Sequence, residues 1–297
     1  MSELRPDWLR DARGSTPTQR WSYAADAPLA DLQFARESGE ILIADTSGGL
    51  YLLDRLGRLQ SLIRLAETPS RVALSDDGEA AVVVLNERTI GWFERPLQLA
   101  WMRELPDAIL GVAMAPFGTH VAVGLADGTN AIYTSANKQL CKFESVRPLR
   151  HLRFLVTEPE LVAAAEYGYL ARFDLRGEVA WSQTLWSTIG DLAVTGDGKF
   201  NYLAGYAHGI QVFNGGGTPT GSWVLEGTAS LVSTTFRKDG LAAATLERHL
   251  ARLGADGSLR WLATAPDDVQ ALRIFPLGES LICGFRGGRV VRLDEAV

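Results

Sequence analysis

Basic charge, cysteine, histidine and long apolar runs are all scarce in this sequence, and each scarcity removes a class of function. Lys and Arg number 29 against 35 Asp and Glu, a net charge of −6. A protein that grips a phosphate backbone needs a basic face, so nucleic acid is not expected as a partner. The two cysteines, Cys141 and Cys283, fall in different repeats and different strand positions. No disulfide is expected, and a reducing, cytoplasmic setting fits. The four histidines, His120, His151, His208 and His249, form no HxH, HExxH or Cys–His cluster, so no metal is expected. No apolar run approaches the ~20 residues of a membrane helix. The opening MSELRPDWLRDARG is charged and lacks the apolar centre of a secretory leader. Membrane insertion is not expected.

Catalytic signatures are missing too. Gly215, Gly216 and Gly217 lie in a hairpin rather than between a strand and a helix, so they are no phosphate loop. Ser230 and Ser233 lack a nucleophile elbow. The acid pairs Asp76-Asp77 and Asp267-Asp268 read as solvated turns, since a Ca²⁺ loop needs more oxygen ligands at set spacing. No catalytic residue and no cofactor is expected, and the chain is expected not to be an enzyme.

What is present is a beat of forty residues. One position reads Trp21, Ser61, Trp101, Cys141, Trp181, Gly221, Trp261; a second reads Phe34, Leu74, Met114, Phe154, Val194, Thr234, Ile274; a third reads Asp54, Glu94, Thr134, Asp174, Asn214, Gly254, Asp294. Self-similarity at about 40–45 residues with strand-like content is the signature of propeller blades. Each unit breaks into four short apolar segments, A to D, separated by turns. In the third unit these are 109–114, 120–125, 129–134 and 139–144, with Asp127-Gly128 as a hairpin,. Strand B is apolar on both faces, as in Ala81-Val82-Val83-Val84, which suits a sheet covered on each side by a neighbour. A small residue recurs in it: Ala44, Val84, Gly124, Ala164, Ala204, Ala244, Gly284. The expected fold is all-β: a seven-bladed β-propeller with four-stranded antiparallel blades in one domain, 19–297, after a tail, 1–18. The fifth unit carries a longer C–D turn that displaces its Trp to Trp223.

The units "LSDDGEAAVVVLNERTIGWFE" and "APFGTHVAVGLADGTNAIYT" resemble WD-repeat blades over about residues 19–295. The Gly-His and Trp-Asp markers are absent, and the strand D tryptophans in "DLRGEVAW" and "GADGSLRW" look more like quinoprotein-type repeats. The resemblance implies the fold and no specific activity, because fold alone does not give function.

Loops are then where function is sought. The B–C hairpins and D–A connections share one face, and those of units four and five carry Tyr167, Trp186, Tyr206 and His208, with Arg147 just before. Exposed aromatics with Arg are the composition of binding hot spots. A weaker set is Arg248, Arg286 and Arg88, suited to carboxylates. The expected function is a non-catalytic scaffold of the WD-repeat-like type that binds a protein or peptide partner, of acidic character, on this face. Two alternatives stand: a quinoprotein-like enzyme or small-molecule binder using strand A residues Arg71, Arg150, Arg153, His151, Asp31, Asp191 and Arg273 in a central channel, or a structural subunit of a larger assembly.

The ends of the chain are expected to meet. Unit seven runs from Val269 to Asp294 without a fourth strand, and counting back along the beat places Gln19 to Ala25 there. Pairing removes an open edge. Fully burying Trp21 and Tyr23 would contribute at most ~4–6 kcal/mol each. Ahead of this strand, Pro6 suits the first turn of a short helix, with Asp7 at its positive end and Leu4 stapled to Leu9. The stretch then packs on the propeller through Trp8 or serves as a docking tail. Removal of residues 1–26 is expected to prevent soluble folding; a soluble truncated protein with an unchanged melting temperature would contradict closure.

Overall fold

The computed structural model describes residues 6–295. Among them, every regular element except one short helix is a β-strand. The strands form seven antiparallel sheets, six of four strands and one of five; five follow chain order, and in the other two an N-terminal strand pairs with the last strand of the sheet. This is the seven-bladed β-propeller that the beat predicts. Blades one to seven begin at Leu29, Pro69, Ile109, His151, Ile189, Ala229 and Val269. The chain divides into two compact units, Ala30–Ile189 and the remainder. The first holds blades one to four and the second blades five to seven.

The recurring positions have local physical causes. At the third, a side-chain oxygen caps the C–D turn: Asp54 Oδ1 accepts from the backbone N–H groups of Leu56 and Arg58, at 2.8 and 2.9 Å. Asp174 does the same for Arg176 and Glu178, and Asn214 for Gly216 and Thr218. This is Asx-turn chemistry, and it explains why the position prefers short polar residues. The small residue of strand B marks close approach between blades: a Cβ on Gly124 would lie 2.4 Å from the Leu149 carbonyl of the chain entering blade four. At the Trp position, a β-bulge interrupts the C–D ladder in every blade. Trp101 reaches from there to the next blade, donating from Nε1 to the Ser135 carbonyl at 2.8 Å.

Two expectations are corrected. The C–D turn of blade five is of ordinary length, because Gly221 pairs with Val212 just as Trp101 pairs with Trp92 and Trp181 with Arg172. Trp223 lies two residues further along the same face, over the Gly257 turn of blade six. Asp76 is not a solvated turn acid. It is buried and takes a two-pronged ion pair from Arg36 of blade one, both contacts at 2.8 Å.

Within the unit of blades five to seven, the N-terminal segment holds two blades. Strand β2 (Thr18–Ala24) is the outer strand of blade seven, with Trp21 opposite Arg292 and Tyr23 opposite Val290. Trp21 and Tyr23 are half-buried, so their contribution falls below the upper bound for full burial. Helix α1 (Asp7–Arg10) starts one residue later than expected, with Pro6 extended at its N-cap; Leu4 lies outside the described residues. The helix packs down: Leu9 is fully buried with Trp261 and Phe285, and Trp8 meets Phe285 edge-on at 5.9 Å. Strand β1 (Arg13–Gly14) then adds a fifth strand to blade six, Arg13 opposite Leu262. Gly14 permits the approach, since a Cβ there would fall 2.1 Å from the Arg260 carbonyl. This cover explains why Trp261 is fully buried while Trp101 and Trp181 are half-buried. Its Nε1 donates to the carboxylate of Glu295 at 3.2 Å, and Glu295 also accepts from buried Arg252 at 3.0 Å.

Leu9→Ala opens a cavity in this cluster and is expected to cost about 2–5 kcal/mol of stability, read as a lowered midpoint in urea unfolding. A change under about 0.5 kcal/mol would mean that α1 frays from the blades.

Candidate functional site

Blade four carries the predicted loop residues on a locked frame. Its B–C hairpin and the connection leaving the blade are tied backbone to backbone: Leu185 N donates to Gly168 O at 2.7 Å and Ile189 N to Glu166 O at 2.8 Å. Gly168 has φ +75°, and a Cβ there would fall 2.1 Å from the Leu185 carbonyl, so only glycine fits. With the two backbones in contact, the residues at their tips project outward. Tyr167 is 71% exposed and Trp186 96%. Trp186 therefore does not fold back over the blade edge.

The connection entering blade four belongs to the same frame. Arg150 N donates to Ala164 O, and the Arg150 guanidinium meets Glu166 of the hairpin at 3.3 Å. Val146, at the tip of this connection, is 81% exposed. The sequence does not single out Val146, because the same loop position reads Ala66, Pro106 and Pro266 in other units. Arg147 beside it is half-buried, and its guanidinium makes no ion pair or hydrogen bond among the described residues. Arg147, Tyr167 and Trp186 thus stand in one unit, as three predicted site residues with an apolar neighbour.

The remaining predicted residues stand in the unit of blades five to seven. Tyr206 is 42% exposed, and its ring lies across Gly190, where a Cβ would meet it at 2.7 Å. It is partly a packing residue. His208 is exposed on the same hairpin. Arg248 is exposed with φ +66°, and Arg286 already pairs with Asp268 at 3.2 Å. In the other unit Arg88 faces Asp107 at 3.8 Å. Surface pairs of this kind contribute little to stability, but they occupy the cations.

The strand A residues considered for a channel ligand have structural partners in several cases. Asp31 accepts from Leu32 N at 2.7 Å and from Val72 N of the next blade at 2.9 Å. Asp191 repeats this with Leu192 at 2.8 Å and Val232 at 3.3 Å. Arg153 and Arg273 each donate to the carbonyl of the preceding residue. His151 is buried. Among the described residues no three His, Cys, Asp or Glu side chains gather as a metal site. The A–B turns of blades three and four border a groove of about 320 Å³ with His120 and Glu158 at its wall; Glu158 pairs with Arg172. Burial lowers the pKa of His120. Both cysteines are free, and burial pushes the Cys283 thiol up. No helix among the described residues is long and apolar enough to cross a membrane.

No family model matches the chain, and no curated protein matches it at a significant level. Among solved structures, the β-propeller domain of Cps50 (Swd1) from Myceliophteria thermophila superposes with a TM-score of 0.81 at 13% identity, covering 94% of this chain and 100% of that one. The chain shares the β-propeller fold of that domain. At this identity the likeness is one of fold.

An exposed tip residue is dispensable to the fold. Trp186→Ser is expected to change the unfolding free energy by no more than about 0.5 kcal/mol in denaturant titration; a loss above about 1 kcal/mol would show that the ring is packed.

Proposed function

We propose that this propeller is a non-catalytic interaction platform, and that the loop edge of blade four binds a protein or peptide partner. The observation that carries this reading is Trp186 at 96% exposure beside Tyr167 at 71%, on two backbones that are hydrogen-bonded together. Leaving a large aromatic in water forgoes the ~1.5–3 kcal/mol that burial of such a side chain contributes. Trp and Tyr carry a large share of the energy in protein interfaces, because each buries much area with few rotatable bonds. The frame supplies pre-organisation: the hairpin and the connection are already fixed, so ordering them costs little on binding.

Arg147 supports an acidic character for the partner. Its guanidinium is unpaired and adjoins exposed Val146, so a carboxylate could pair there while an apolar side chain covers Val146 and Trp186. Aromatic anchor and unpaired cation together favour a peptide segment with alternating apolar and acidic residues.

Affinity purification from the native source with wild type and with Tyr167→Ser/Trp186→Ser tests the assignment. Partners held by the wild type are expected to be lost from the double variant, at an unchanged melting temperature. Retention of every partner at full strength would refute the site.

A further inference from the structure

Arg71 lies on the first strand of blade two, Pro69–Leu74, and Arg150 immediately before the first strand of blade four, His151–Phe154. The first strands of blades two, three and four are neighbours in that order. One position recurs through blades one to four as Asp31, Arg71, Gly111 and His151. Gly111 stands between Arg71 and blade four without a side chain. A Cβ there would lie 2.4 Å from the Arg150 carbonyl, so the chain entering blade four closes directly on blade three. Arg71 and the backbone of Arg150 thus flank the same strand of blade three, with no side chain at Gly111 between them.

The nearby acids have other bonds. Asp31 accepts the backbone N–H groups of Leu32 and Val72. Glu166 is the partner of Arg150 at 3.3 Å. Arg71 is half-buried, and its guanidinium makes no hydrogen bond and no ion pair within 4 Å among the described residues. Burial lowers its pKa first and the charge of Arg150 second, with Asp31 and Glu166 opposing. A partly desolvated cation with no hydrogen bond and no close ion pair is unfavourable, and an apolar side chain of like volume would serve the fold better. A residue kept at such cost points to something that pairs with it.

We propose that Arg71, with Arg150, forms a carboxylate-binding site at the inner strands of blades two to four. A guanidinium presents a planar fork of N–H donors that matches the two oxygens of a carboxylate. Arg71 supplies the open fork, and Arg150 can share its donors between Glu166 and the ligand. The carboxylate comes either from a small free acid or from a Glu or Asp side chain of a peptide. This site is separate from the exposed aromatics of blade four and does not rest on them.

The test is calorimetric titration and thermal unfolding of the full chain with two probes, succinate and an end-blocked Gly-Glu-Gly-Glu-Gly peptide, against sodium chloride at matched ionic strength. Wild type is expected to bind at least one probe and to melt higher in its presence. Succinate alone would identify a free acid as the source, and the peptide alone a partner's side chain. Arg71→Met is expected to melt no lower than wild type without ligand and to bind about tenfold more weakly or worse. Arg71→Lys, which keeps the charge and loses the fork, carries the same comparison if Arg71→Met does not fold, and is expected to bind several-fold more weakly. The Arg71 variants are expected to keep every partner that the wild type holds through Tyr167 and Trp186, which separates this site from the platform. Binding of neither probe by the wild type, or undiminished binding by the Arg71 variants, would overturn the proposal.

Discussion

A blade of this protein cannot bury itself. Its second and third strands are apolar on both faces, as Ile41–Asp45 and Gly49–Leu53 show by being buried at every position. Such a sheet is stable only when another covers each face. The features that join one blade to the next follow from that need. The small residue at Gly124 lets the next blade close in. Asp31 and Asp191 send a carboxylate to the first strand of the following blade. Arg36 clamps Asp76 across consecutive turns. The last blade, whose own segment supplies three strands, meets the need through β2.

The N-terminal segment does more than complete an edge. It passes α1 and β1 over blade six on the way, and so gives Trp261 the full burial that its counterparts lack. Leu9 and Trp8 tie this cover to Phe285 of blade seven. Blades six and seven are thereby joined by a third element in addition to their own contact, and the Trp261–Glu295–Arg252 network forms beneath it.

Architecture was largely legible because repetition amplifies weak signals. One Asp at position 54 means little; short polar residues recurring at 174 and 214 announce a capped turn. Features that occur once were not legible. Arg13-Gly14 has no periodicity, and its pairing with blade six depends on tertiary contact. Asp76-Asp77 reads the same whether solvated or clamped, since Arg36 lies forty residues away. The Trp of blade five was misplaced because a substitution in the beat, Gly221, looks like an insertion until the register is seen. The candidate site was legible as composition: Tyr167, Trp186 and Arg147 stand out in loops that are otherwise polar. The exposure of Tyr167 and Trp186 was not, since it comes from Gly168 holding two backbones together. Tyr206 had the same composition and a different outcome, because Gly190 gives its ring a floor.

The central claim is that β2 is an integral strand of the last blade, held as firmly as its partner. Hydrogen–deuterium exchange on the intact protein measures this directly. The account predicts that the inward-bonded amides of Thr18–Ala24 exchange as slowly as those of Arg289–Asp294, through the same global opening. Fast exchange in 18–24 beside protected amides in 289–294 would contradict it.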